Sequence, residues 1–174
     1  ILFSLALLFA SCASNPMGQK VKDPFSGSKY ESNNRFYRAT GKGSSKMDPV
    51  ANSQAEMRAR QQLAQQVQTY FQVVTDDYQK STTGEVLDEA MTRFETLARE
   101  ITSTKLADMR QIGNEKYLSA DGSYTVYVAI EIKKSSMYRH MKKQVRLDSK
   151  IKSSELDQIN EILDQLIDQT ESDN

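Results

Sequence analysis

The stretch DPVANSQAEMRARQQLAQQVQTYFQVVTDDY, residues 48–78, carries apolar side chains at Ala51, Ala55, Ala59, Leu63, Val67, Phe71, Val74 and Tyr78. Steps of four with one of three put these residues on a single face, so the stretch reads as one long amphipathic helix. Its first turns are lined with alanine. Small side chains there let a helix axis come close to a sheet, while the larger ones farther along fill a wider gap. Asp48-Pro49 suits the helix start: an N-cap aspartate accepts a bond from an orphan backbone N–H, and proline at N1 lacks a donor that would go unpaired anyway.

Upstream, Arg35-Phe36-Tyr37-Arg38-Ala39-Thr40-Gly41 reads as a first strand that ends in a turn at Gly41-Lys42-Gly43-Ser44-Ser45. Downstream, Ser81-Thr82-Thr83-Gly84 breaks the helical period. A second helix follows, with Leu87, Ala90, Met91, Phe94, Leu97, Ala98 and Ile101 on one face, and the two helices are expected to form a hairpin. From Leu106 to Leu118 and from Tyr124 to Ile132 the period becomes strand-like. In the latter, Tyr124, Val126, Val128, Ile130 and Ile132 share one face, and Thr125, Tyr127, Ala129 and Glu131 the other. Ala120-Asp121-Gly122-Ser123 between them predicts a hairpin with a type I′ turn. After Lys133 the chain returns to helix. Ser154-Glu155-Leu156-Asp157 resembles a capping box, and Leu156, Ile159, Ile162, Leu163, Leu166 and Ile167 form an apolar stripe behind it. The expected order is β-α-α-β-β-α: an α+β fold whose small antiparallel sheet is packed by a long helix hairpin, with a C-terminal amphipathic helix.

The N-terminus carries a different signal. Ile1 to Ala10 is an unbroken apolar and small run that meets Ser11-Cys12 and then turns polar. A membrane span needs roughly 20 apolar residues, so this run matches the h-region of a secretory signal instead. Ala10 and Ser11 suit a signal-peptidase cleft, and Phe9 is similar to what Bacteroidetes-type lipoboxes carry. Residues 1–11 are therefore expected to be a lipoprotein signal peptide, truncated at its start and removed, leaving Cys12 as the lipidated N-terminus. Two or more acyl chains, each contributing about 0.8 kcal/mol per buried CH2, hold a protein firmly on a membrane. Residues 12–33, rich in Ser, Asn, Gly, Pro and Lys, read as a lipidated flexible tether. Residues 34–134 make the α+β domain and 135–174 a basic, then acidic, helical extension.

Cys12 is the only cysteine, which excludes disulfides and thiolate chemistry in the rest of the chain. Lys and Arg number 23, as do Asp and Glu, and this balance argues against a nucleic-acid partner. The charges segregate locally: Lys142, Lys143 and Arg146 belong to a basic stretch running from Lys133 to Lys152, and every charge from Glu155 onward is acidic. Two readings follow: helix faces that attract each other, or a basic patch that touches anionic lipid or an envelope polymer. The single histidine, His140, has no catalytic companion. Asp76 and Asp77 point about 100° apart on a helix, and the Gly41–Ser45 segment lacks P-loop spacing. No cofactor or metal is expected, and no enzymatic activity. The tyrosines, including Tyr70, Tyr78, Tyr117, Tyr124 and Tyr127, read as core-edge residues rather than a stacking platform.

The combination Arg38-Ala39-Thr40-Gly41-Lys42-Gly43, then Ala51, Ala55, Ala59-Arg60, Leu63-Ala64 and Val67, then Tyr124-Thr125-Val126-Tyr127-Val128-Ala129, resembles the LPP20 family of bacterial envelope lipoproteins. It is also similar to the related N-terminal domain of the flagellar assembly protein T. The resemblance covers roughly residues 35–135 and implies a small α+β domain at the outer membrane, without catalytic residues to carry over. No acidic residues closely follow Cys12, which favours a periplasm-facing anchor. The expected function is a non-enzymatic outer-membrane lipoprotein acting as a scaffold or accessory subunit, its partner an envelope protein or a second copy of itself. Candidate contact residues are Leu156, Ile159, Leu163 and Leu166, together with Lys142, Lys143 and Arg146. The same apolar stripe could instead complete the domain core. The alternative function is a periplasmic carrier for a lipid or glycan fragment, held in a pocket between helices and sheet near Val74, Phe94 and Val128.

Overall fold

The computed structural model describes residues 21–81, 85–104, 109–149 and 151–172. Helices and strands are mixed: β1 (Phe36–Ser45), α1 (Asp48–Ser81), α2 (Glu85–Thr104), β2 (Arg110–Leu118), β3 (Tyr124–Lys133), α3 (Lys134–Leu147) and α4 (Ser153–Glu171). The three strands form one antiparallel sheet in the order β1-β3-β2. The order is thus β-α-α-β-β-α-α, one helix more than expected. The basic and acidic C-terminal segments are separate helices, parted at Asp148, whose backbone turns extended.

The inner face of the sheet is covered by α1, while α2 packs against α1 and α4. The contact between α1 and β1 is set by small residues on both sides. Ala51, Ala55 and Ala59 are fully buried. Gly41 and Gly43 face them so closely that a Cβ on Gly41 would lie 2.0 Å from the Ala55 carbonyl oxygen and 2.5 Å from the Ala59 nitrogen. Backbone meets backbone along this seam. Gly41 and Gly43 therefore do not make the expected turn: β1 runs through them to Ser45, paired with β3 residue by residue.

Farther along, α1 leaves the sheet and its larger residues enter a helical core. Phe71 packs edge-on against Phe94 of α2 at 5.2 Å and against Tyr138 of α3 at 5.9 Å. The stripe on α1 keeps its step of four through Thr75, which is buried and donates to the Phe71 carbonyl, while Val74 and Tyr78 sit at the core's edge. Met91, Met141, Ile159, Ile162 and Leu163 complete one continuous apolar cluster with the sheet residues.

Three local expectations are corrected. Helix α1 begins at Asp48 itself: the Met47 carbonyl accepts from Val50 and Ala51, and the Asp48 carboxylate pairs with Lys116 of β2 at 2.5 Å. The β2–β3 turn is not type I′, because only Gly122 has a positive φ, at 80°. The Ser119 N–H instead donates to the Ser123 carbonyl across a three-residue loop, with Asp121 accepting from the Ser123 N–H and hydroxyl. Helix α4 starts at Ser153 after Lys152, without a side-chain cap, so Ser154–Asp157 is not a capping box. Strand β2 begins at Arg110, and a bulge between Gln111 and Gly113 shifts its register. Residues 105–108, like the break at 82–84, lie outside the described residues.

The exposed edge of β1 is blunted by α1. Gln66 and Arg58 donate to the carbonyls of Arg38 and Lys42, and the Ser44 N–H donates to Gln54. These side chains occupy backbone groups that would otherwise template a foreign strand.

Candidate functional site

The outer face of the sheet, turned away from α1, carries basic, acidic, hydroxyl and aromatic side chains together. Register brings its residues together in rows: Arg38, Glu131 and Arg110; then Thr40, Ala129 and Gly113; then Lys42, Tyr127 and Glu115; then Ser44, Thr125 and Tyr117. The bulge in β2 puts Gly113, Glu115 and Tyr117 on this face. Over it lies the segment 21–33, the second half of the stretch expected to be a flexible tether. A 3-10 turn spans Ser28–Tyr30, and the Phe25 ring stands directly above Gly113, where a Cβ would lie 2.5 Å from it. Phe25 has φ 59°, a left-handed conformation that costs a bulky residue of order 1–3 kcal/mol.

Glu131 anchors one end of this face. Its side chain is only 4% exposed and pairs with Arg38 at 2.8 Å and with Arg110. Burial pushes the carboxyl up, but the hydrogen bonds and charges of both arginines outweigh it and hold the group below its usual range. Arg38 also donates to the Glu31 carbonyl, and its own N–H donates to the Ser32 hydroxyl, so the overlying segment is tied to the ion pair. Glu131→Gln is expected to lower stability at neutral pH by about 3 kcal/mol, the lower end for a broken buried pair, because Arg110 is largely exposed and its share is screened. The pH dependence follows from a folded-state value below the ordinary 4.5. The stabilisation is complete above that ordinary value and is lost as pH falls through the depressed one. Thermal melts of wild type and Glu131→Gln at stepwise lower pH should therefore converge under acid; parallel curves would contradict the assignment.

At the other end the surface opens into a groove of about 660 Å³ between segment 21–30 and the sheet. Tyr117 and Tyr127 meet edge to face at 6.0 Å on its floor. Lys42 stands 5.3 Å from the centre of the Tyr127 ring, and the Tyr117 hydroxyl donates to Glu115 at 2.6 Å. That bond raises the Tyr117 phenol above its ordinary value. Phe25 and Tyr30, 5.0 Å apart, form the wall.

A second groove, of about 580 Å³, runs along α1 beside Tyr37, Tyr70 and Val73. Next to it Lys134 is sandwiched against the rings of Tyr37 and Tyr70, 4.4 and 5.2 Å away. Its burial lowers the ammonium group's pKa. The Tyr37 and Tyr138 hydroxyls share a buried hydrogen bond of 3.1 Å, and burial pushes both phenols up.

Cys12 and the signal-like run 1–11 lie outside the described residues. Ile159, Leu163 and Leu166 are buried in the core, and Leu156 packs against its edge. Lys142 bonds Asp164 across α3 and α4 at 2.5 Å, and Arg139 bonds Glu171 likewise, while Lys143 and Arg146 are exposed. Phe94 and Val128 are fully buried, so they fill the space between helices and sheet, and Val74 is partly buried at the edge of the core they belong to. The sequence reading missed Phe25 and Tyr30, the large aromatics of an otherwise Ser- and Gly-rich stretch. It also missed that Tyr117 and Tyr127 share a face. Among the described residues no group of three or more His, Cys, Asp and Glu could hold a metal ion, and no helix is long and apolar enough to cross a membrane.

The chain matches no protein-family model, and comparison with curated proteins and with solved structures finds no match. The functional reading therefore rests on the sequence and on this geometry.

Proposed function

We propose that the protein is a non-enzymatic lipoprotein of the bacterial cell envelope, anchored through acyl chains on Cys12 and acting by contact with other envelope components as a scaffold or accessory subunit. The observation that carries this reading is the apolar run Ile1–Ala10 meeting Ser11-Cys12, a signal whose physical meaning is cleavage followed by lipid attachment. The resemblance to LPP20-type lipoproteins supports an outer-membrane placement, and the lack of acidic residues close after Cys12 favours its periplasmic face. The position of segment 21–33 adds a mechanical point. Residues 21–33 lie against the outer sheet face, which shortens the stretch left to span from the proposed anchor to the groove.

The basic surface is smaller than the sequence suggests, since Lys142 and Arg139 are engaged by α4. Contacts to anionic headgroups would fall to Lys143 and Arg146. In-cell cross-linking with affinity capture, run on wild type and Cys12→Ser, tests the proposal. Wild type should be retained in the membrane fraction with a cross-linked envelope component in comparable amount. Cys12→Ser should lose both. Equal recovery of both forms from the soluble fraction would contradict it.

A further inference from the structure

The sheet-face groove lies away from the interhelical core and does not depend on the anchor. We propose that it is a binding site for a neutral glycan chain. Three observations point to this ligand class. First, the floor is built from the side-chain face of the sheet and not from its edge, so it offers no ladder of free backbone groups for an extended peptide. It offers instead aromatic surfaces, Tyr117, Tyr127 and Tyr30, against which the apolar faces of sugar rings pack. Second, pendent groups surround those rings: the Lys42 ammonium, the Glu115 carboxylate and the hydroxyls of Tyr117 and Thr125 supply donors and acceptors of both kinds for hydroxyl and amide groups. Third, the charges balance. Lys22 and Lys42 line the groove together with Asp23 and Glu115, which favours an uncharged ligand over a phosphate or a uronic-acid polymer. The groove's size falls within the range typical of ligand sites.

The strained backbone at Phe25 fits the same account. A left-handed conformation in a bulky residue is maintained only where surrounding contacts require it, and here it holds the wall of the groove over Gly113. Gly113 is what admits the ring.

The test is a titration of the isotopically labelled full chain, followed by NMR, with chitotetraose and maltotetraose as neutral probes, a sulfated oligosaccharide, and an extended polar peptide. A neutral oligosaccharide should shift the signals of Phe25, Tyr30, Glu115, Tyr117 and Tyr127 together. Tyr117→Ala, at a half-exposed position that threatens the fold little, should weaken binding about tenfold without changing the melting temperature. Tyr127→Ala should behave alike, and Val73→Ala in the other groove should have no effect. Absence of shifts at millimolar neutral sugar overturns the proposal. So do shifts produced only by the sulfated probe or the peptide, and binding that survives both tyrosine substitutions.

Discussion

Gly41→Ala should lower stability by about 3 kcal/mol or more, at or beyond the upper end for overpacking a core and a large share of the ~5–15 kcal/mol that a whole domain retains. The added methyl would meet the Ala55 carbonyl oxygen at 2.0 Å and the Ala59 nitrogen at 2.5 Å. Both are backbone atoms of α1, so relief requires the whole helix to back away from the sheet and to open its contacts with β1 and β3. Gly113→Ala makes the informative comparison. There the nearest atoms belong to the Phe25 side chain, the far end of a movable ring, so stability should fall much less while the groove wall shifts. Chemical denaturation of the two variants against wild type separates these cases. Similar losses for both would mean that α1 does not seat on β1 as described.

Deleting residues 153–174 should unfold the domain. That segment places Ile159, Ile162, Leu163, Leu166 and Ile167 in the core. At about 1.5–3 kcal/mol for each buried aliphatic side chain, the joint loss of these five is comparable to the ~5–15 kcal/mol that a whole domain retains. A gentler form of the same test is Leu163→Ala, which should cost about 2–5 kcal/mol in a thermal or denaturant melt. Retention of a sharp, unshifted transition after the deletion would show instead that α4 is a detachable helix whose apolar face serves a partner.

The parts of this fold that were legible in the sequence are those where one period persists over many residues. The step of four from Ala51 to Phe71 and the alternation from Tyr124 to Ile132 both give their elements directly, because burial on one face forces the pattern. The alanines even announce the close approach to a sheet. What could not be read was the partner of that approach: Gly41 and Gly43 look like a turn locally, and only the helix pressed against them explains glycine inside a strand. The α4 cap failed for a related reason. Several Ser and Lys residues precede the stripe, and the helix starts one residue before the box, with Lys152 rather than Ser154 at its N-cap; Glu155, between the two supposed capping positions, is buried and pairs with Lys152.

The groove was the least legible feature. Its floor depends on a bulge that sets which β2 residues face outward, and its wall comes from a segment whose composition reads as linker. Phe25 and Tyr30 were the available signal, since large aromatics in a free tether have nothing to pack against. The Arg38–Glu131–Arg110 row was hidden similarly, because the register that aligns its members is a property of the sheet as a whole.

Cys12 as the point of membrane attachment is the claim on which the functional account turns, and the mass of the N-terminal peptide of the mature protein, recovered from cell membranes, tests it most directly. The account predicts a peptide that begins at Cys12 and carries a diacylglyceryl thioether, with or without a further acyl chain on the amine. A mature chain in which residues 1–11 remain joined to an unmodified Cys12 thiol would contradict it.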